Sequence, residues 1–201
     1  MVPIRHANYF IVLFLLEHVL RWLYTGVMNK PRPCKFTRDD VEITDDAVLH
    51  QGFFTCRRLQ LRYPFYAGGV SDLVTRDIVS KCPAIMVIPF DPVRNSVVLI
   101  QQFRVGSLYH RECPWLLEVV AGVQDENQSP EQTAVAELLQ ETGLAARSLH
   151  RVFDFDSSPG YSTEYITVFL ALVDSSQANE FAGLESESED IVVSVVTLDE
   201  L

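Results

Sequence analysis

From Ala84 onward the chain is built of apolar runs of strand length separated by turn signals: AIMVIPF, the turn Asp91-Pro92-Val93-Arg94-Asn95, SVVLIQQF and WLLEVVAGV. Runs this short and this apolar read as buried strands rather than amphipathic helices, which need longer segments with a 3.6-residue period. One helical segment interrupts them, and VFDFD, EYITVFLALV and IVVSVVTL then resume the strand pattern. Such an order predicts a mixed β-sheet around one dominant central helix, an α+β or layered α/β/α arrangement. Ahead of it, residues 41–77 alternate apolar and polar stretches around Tyr66-Ala67-Gly68-Gly69, which predicts a small antiparallel meander too short to fold securely alone.

Charge narrows the partners. With 16 Lys+Arg against 27 Asp+Glu the net charge is −11, and no basic run offsets it, so the chain repels a phosphate backbone and nucleic acid is excluded as an expected partner. An anionic ligand would need locally placed arginines or metal ions. The cysteines, Cys34, Cys56, Cys82 and Cys113, form no metal-ligand spacing and read as reduced thiols of a cytoplasmic protein.

Residues 9–28 complicate that assignment. Their eleven Leu, Ile, Val and Phe side chains favour insertion into a bilayer by roughly 5 kcal/mol, and Glu17 with Arg21 oppose it by about the same amount. Charges in the middle of the apolar run also exclude an ordinary cleavable signal peptide. Three readings stand: an extension outside the functional fold, a peripheral or packing helix, and a membrane anchor. The Lys30-Pro31-Arg32-Pro33 breaker closes the segment, giving a division into 1–35, a small β domain over 36–83, and a main domain over 84–201.

The chemistry lies on the helix. Ser129-Pro130-Glu131-Gln132 is a start signal with a capping box, and Gly143 is the stop. Glu137 and Glu141, four residues apart, project from one face with Cβ atoms about 5–6 Å apart. Residues 122–144 hold Asp125, Glu126, Glu131, Glu137 and Glu141 and neither Lys nor Arg. A solvated acidic face accounts for that pattern; so does a site for a hard divalent cation such as Mg²⁺ or Mn²⁺.

The string GVQDENQSPEQTAVAELLQETGL resembles the Nudix box, G-x5-E-x7-R-E-U-x-E-E-x-G-U, where U is a bulky aliphatic residue. Gly122, Glu137, Leu138, Glu141, Gly143 and Leu144 match; Gln128, Ala136 and Gln140 depart. The resemblance extends over residues 41–201 through HQGFF (50–54), PFDPVRNSVVLIQQFR (89–104), PWLLEVVAG (114–122), SSPGYSTE (157–164) and GLESESEDI (183–191). It is similar to the bacterial ADP-ribose pyrophosphatase branch, of which a proline about sixteen residues past the box, here Pro159, is a mark.

That resemblance implies Mg²⁺-assisted hydrolysis of ADP-ribose to AMP and ribose 5-phosphate. It assigns metal binding to Glu137, Glu141, Glu189 and the carbonyl of Ala121, and the catalytic base to Glu187 or Glu189. It assigns diphosphate contacts to Arg76 and Arg104, stacking on adenine to Phe53 supplied by a partner subunit, and a place near the terminal ribose or the metals to Glu164. It implies a homodimer with shared sites, and in this branch the chain normally continues into a further C-terminal helix beyond the position of Leu201. Because Gln140 and Ala136 remove a carboxylate and a guanidinium from the box, the competing reading is a catalytically impaired Nudix domain that binds ADP-ribose or a related nucleoside diphosphate sugar.

Overall fold

The structure, a computed structural model, describes residues 34–125 and 127–201. Residues 9–28, and with them the three readings of that segment, lie outside the described residues. Within the described residues no helix is long and apolar enough to cross a membrane, and the four cysteines form no disulfide.

Strands β1 (Glu42–Gln51), β2 (Thr55–Arg62) and β3 (Val74–Ser80) form an antiparallel three-stranded sheet, the expected meander. The ion pairs Arg57–Asp46, Arg62–Glu42 and Arg58–Asp77 link its strands. Exposed pairs of this kind contribute little stability and serve mainly to favour one register. Ile43, Val48 and Leu49 of β1 remain exposed, so this sheet leaves apolar surface uncovered.

The larger sheet has eight strands. β4 (Ala84–Asp91) and β5 (Ser96–Phe103) start as a hairpin, paired only through Phe90–Val97 and Asp91–Ser96. They then splay. β6 (Trp115–Glu118) pairs with β5, and β7 (Val120–Val123) pairs with β4. The run WLLEVVAGV, expected as one strand, is therefore two strands that change partners at Val119. Trp115 at its start is exposed, not buried. β8 (Ser148–Asp156), β9 (Tyr165–Leu172), β10 (Phe181–Ala182) and β11 (Ile191–Thr197) complete the order β10-β11-β5-β4-β9-β8. β4 and β9 run parallel and the other pairs antiparallel, so the sheet is mixed as expected.

Helix α1 (Pro130–Thr142), the one α-helix among the described residues, packs against β7, β4, β10, β11 and β5. Ser129 Oγ accepts from the Gln132 backbone and Gln132 Oε1 accepts from Ser129 N, the expected capping box, which stabilises such a helix by about 1 kcal/mol. Gly143 ends it in the left-handed region at φ 74°, where a Cβ would meet the Asn179 side chain at 2.3 Å. Ala134 and Leu138 sit in the core with Ile85, Val87, Ile100, Val120 and Phe169.

The root of the β4–β5 hairpin is held by a polar knot. Asp91, fully buried, accepts from Val93 N, Arg94 N, the Arg94 guanidinium, Ser175 N and Ser175 Oγ. Asp174 joins it, accepting from Arg94 and Arg147. Burial by itself would raise the Asp91 pKa, but the bonds from Ser175 and Arg94 outweigh it and hold the carboxyl well below its usual range. Its stabilising effect is thus present above the unfolded pKa and lost as pH falls through the depressed folded value. Asp91→Asn should lower the urea midpoint clearly at neutral pH, by a margin that persists down to about pH 4. Equal midpoints for the two proteins at pH 7 would refute this.

Candidate active site

The site forms where α1 crosses β7. Ala121 N donates to Glu141 Oε2 at 3.0 Å, and Gln102 Nε2 lies 3.5 Å from Glu141 Oε1, so both oxygens of this buried carboxylate face β5 and β7. Glu137, one turn earlier, lies directly over Gly122: a Cβ there would stand 2.2 Å from the Glu137 carboxyl carbon. This gives the box glycine a physical reason, since any side chain would displace Glu137 from the strand.

Burial pushes Glu141 up to about 8; the Ala121 N–H opposes this, Glu137 and Glu189 reinforce it, and Arg104 again opposes it. Glu137 is raised by burial, then by Glu189 and Glu187. These shifts place the acidic loop 183–191 within electrostatic reach of the helix. Glu189 Oε2 accepts from Leu184 N at 3.2 Å and stands 3.5 Å from Gln140 Nε2, while Glu187 is exposed at the end of a short 3₁₀ turn. Ala121, Glu137, Glu141, Glu187 and Glu189 are therefore brought to one region. Among the described residues, no three His, Cys, Asp or Glu side chains are gathered tightly enough to form a metal cage. The donors fit a hard divalent cation in kind: all are oxygens, and the clustered carboxylates outnumber Arg104, the cation that acts on Glu141.

The remaining expected residues have partners of their own. Arg104, just past the end of β5, is ion-paired with Glu118 at 2.8 Å, a partner sequence reasoning missed; β6 sets Glu118 opposite Ile100 on β5, and the two side chains meet along the strands. Arg76 is exposed on β3, its guanidinium donating to the Thr75 carbonyl. Phe53 is 89% exposed at the β1–β2 tip, edge-on to Phe54. Glu164 pairs with Lys81 and accepts from Ser157 Oγ. Of the box departures, Gln128 accepts from Thr133 Oγ1 at 3.3 Å, and Ala136 lies exposed on α1 near Val135 and Leu139, both also exposed.

A mixed sheet carrying a capped helix, with one glutamate over a glycine of the preceding strand and a second bonded to that strand's backbone, is the arrangement of a Nudix domain. The chain belongs to the Nudix family: the NUDIX domain matches residues 80–201. The ADP-ribose pyrophosphatase of Haemophilus influenzae is 41% identical over 164 residues, 80% of this chain and 76% of that protein. The ADP-ribose pyrophosphatase of Escherichia coli K12 is 39% identical over 82% of this chain and 79% of that protein. A crystal structure of an ADP compounds hydrolase superposes with a TM-score of 0.60 at 20% identity, covering 80% of each chain, a likeness of fold. Nudix ADP-ribose pyrophosphatases depend on a divalent metal.

The raised Glu141 pKa has a thermodynamic consequence. A carboxyl whose folded pKa lies above its unfolded value of 4.5 favours the fold when protonated, so without a cation stability erodes as pH rises toward 8. In metal-free buffer Glu141→Gln should match the parent near pH 5 and exceed its melting temperature near pH 9, by roughly several degrees. A parent that loses no stability relative to the variant over that range would show that Glu141 ionises freely.

Proposed function

We propose that the chain hydrolyses ADP-ribose: water attacks one phosphorus of the diphosphate, the bridging P–O bond breaks, and AMP and ribose 5-phosphate leave. The observation that carries this reading is the pair Glu137 and Glu141, pressed against β7 beside a second acidic loop, in a chain so similar to ADP-ribose pyrophosphatases. Glu137, Glu141, Glu189 and the Ala121 carbonyl would hold Mg²⁺ or Mn²⁺. The bound cation supplies charge stabilisation at the phosphoryl oxygens and an acidified water. Glu187 or Glu189 takes the proton of the attacking water, and the exposure of Glu187 leaves it free to meet one.

Arg104 clamps the diphosphate after exchanging its Glu118 partner, with Arg76 as the second guanidinium. Phe53, solvent-facing at a hairpin tip, stacks on adenine, and Glu164 lies near the terminal ribose. The protein acts in the cytoplasm, and its parts are residues 1–35, a dimerising β domain over 36–83, and the catalytic domain over 84–201. The second reading, an impaired ADP-ribose binder, is favoured by Gln140, which offers Glu189 a neutral amide where the box has a carboxylate, and by Ala136.

Release of AMP from ADP-ribose with and without Mg²⁺ separates the two. The parent should release AMP only with a divalent cation, and Gln140→Glu with Ala136→Arg should raise turnover by about tenfold or more and lower the cation concentration needed. Metal-independent binding of ADP-ribose with no AMP release would leave the binder reading.

The exposed Ile43, Val48, Leu49 and Phe53 of the small sheet support a homodimer in which that sheet completes the partner's site. Light scattering should return twice the chain mass of 22.8 kDa. A monomer that still binds ADP-ribose would remove the shared-site reading.

A further inference from the structure

Where the small sheet ends, the chain is fastened to one turn of the main sheet. Val79 N donates to the Tyr161 carbonyl at 2.7 Å and Thr163 N donates to the Val79 carbonyl at 3.0 Å, making a parallel bridge between Val79 and Ser162. Two residues on, Lys81 N donates to Thr163 Oγ1 at 2.9 Å, and that hydroxyl lies 3.2 Å from the Lys81 carbonyl, which it can serve as donor. The Lys81 side chain then reaches in two directions. Its ammonium is ion-paired with Glu164, and it stands 5.5 Å from the centroid of the Phe54 ring. Phe54 in turn packs edge-on against Phe53, ring centroids 4.7 Å apart.

Glu164 has little freedom left. Its second oxygen accepts from Ser157 Oγ at 2.6 Å, and its backbone N–H donates to Ser162 Oγ at 3.1 Å. Both members of the Lys81–Glu164 pair are largely shielded from solvent, with 29% and 18% of their side-chain surface exposed. Such a pair is less screened than the surface pairs of the small sheet, and its geometry is fixed by backbone bonds on both sides. One cation thus joins the hairpin tip at 52–54 to the turn at 157–164.

We propose that Lys81 is a positioning residue for the substrate, setting the Phe53 hairpin tip and the Glu164 carboxylate from a single point. The inference rests on the ADP-ribose reading above, in which Phe53 meets adenine and Glu164 the region of the far ribose. Lys81 does not touch substrate. It acts through Glu164 by charge and through Phe54 by cation–π contact, which a guanidinium can also provide.

The test uses the full chain, with ADP-ribose as the probe, in two measurements: calorimetric affinity and the split between KM and kcat. Lys81→Met should weaken ADP-ribose affinity and raise KM by about tenfold while kcat stays within about twofold, because binding contacts rather than the reacting centre are displaced. Lys81→Arg should restore KM to within about threefold of the parent. Phe53→Ala combined with Lys81→Met should weaken affinity by less than the product of the single effects, since both act on one contact. Should Lys81→Met fail to fold, Lys81→Gln gives the same readings with an uncharged side chain that keeps a polar end in this half-buried place.

Unchanged affinity and KM in Lys81→Met, failure of Lys81→Arg to restore them, or effects that multiply with Phe53→Ala would each overturn the positioning role. A parent that binds no ADP-ribose would remove the functional reading and this inference together. A parent that binds it, with a Lys81→Met variant that binds it equally, removes only this inference.

Discussion

Two carboxylates with no Lys or Arg on their own helix are held against the backbone of β7, and much of the main sheet serves to keep them there. Taking an ionised carboxylate out of water costs several kcal/mol unless it is compensated, and the Ala121 N–H and Arg104 compensate only in part, so the Glu141 pKa stays raised. What offsets that penalty is apolar burial on the same helix. Ala134 and Leu138 are fully enclosed, and removing a buried leucine side chain typically costs about 2–5 kcal/mol. The glutamates are thus tolerated because apolar residues on the same helix anchor α1. Gly122 lets the strand approach close enough for Glu137 to lie on its backbone.

The splay of β4 and β5 decides which backbone the helix meets. Their hairpin is closed at its root by the Asp91 knot and open at its far end, where β6 and β7 take up the free edges. β7 is thereby placed beside β4, under α1. On the other side β11 pairs along β5 and β10 along β11, so the connection between them, carrying Glu187 and Glu189, comes over the same helix. Two segments distant in sequence, α1 and the 183–191 loop, supply acids to one region and β7 supplies its backbone, because each packs on β4 and β5 or on strands paired with them. The third box departure is physically the most informative: Gln140 removes a negative charge where Glu189 approaches and leaves a donor in its place.

The local features were legible in advance because each is governed by residues a few positions apart. Ser129, Pro130 and Gln132 specify the helix start through bonds within one turn, Gly143 its end, and Asp91 to Asn95 the hairpin, whatever packs around them. The Glu137–Glu141 face followed from helical geometry alone. The β6–β7 break at Val119 was not legible, since WLLEVVAGV is apolar throughout and nothing within it marks a change of partner. The two-residue strand β10 was missed for a related reason: FA carries no pattern, and it pairs because β11 offers an edge.

By itself the sequence determined the succession of strands around a capped helix, the placing of two glutamates on one helix face, and the family to which the string of residues 122–144 belongs. Only the tertiary structure decided what those groups touch. It gave Arg104 to Glu118, bound Glu164 to Lys81 across 83 positions, and brought the acidic loop to the helix. The physical reason is range: caps and turns are set by hydrogen bonds between near neighbours, whereas ion pairing and desolvation act through space and depend on which strands the sheet places side by side.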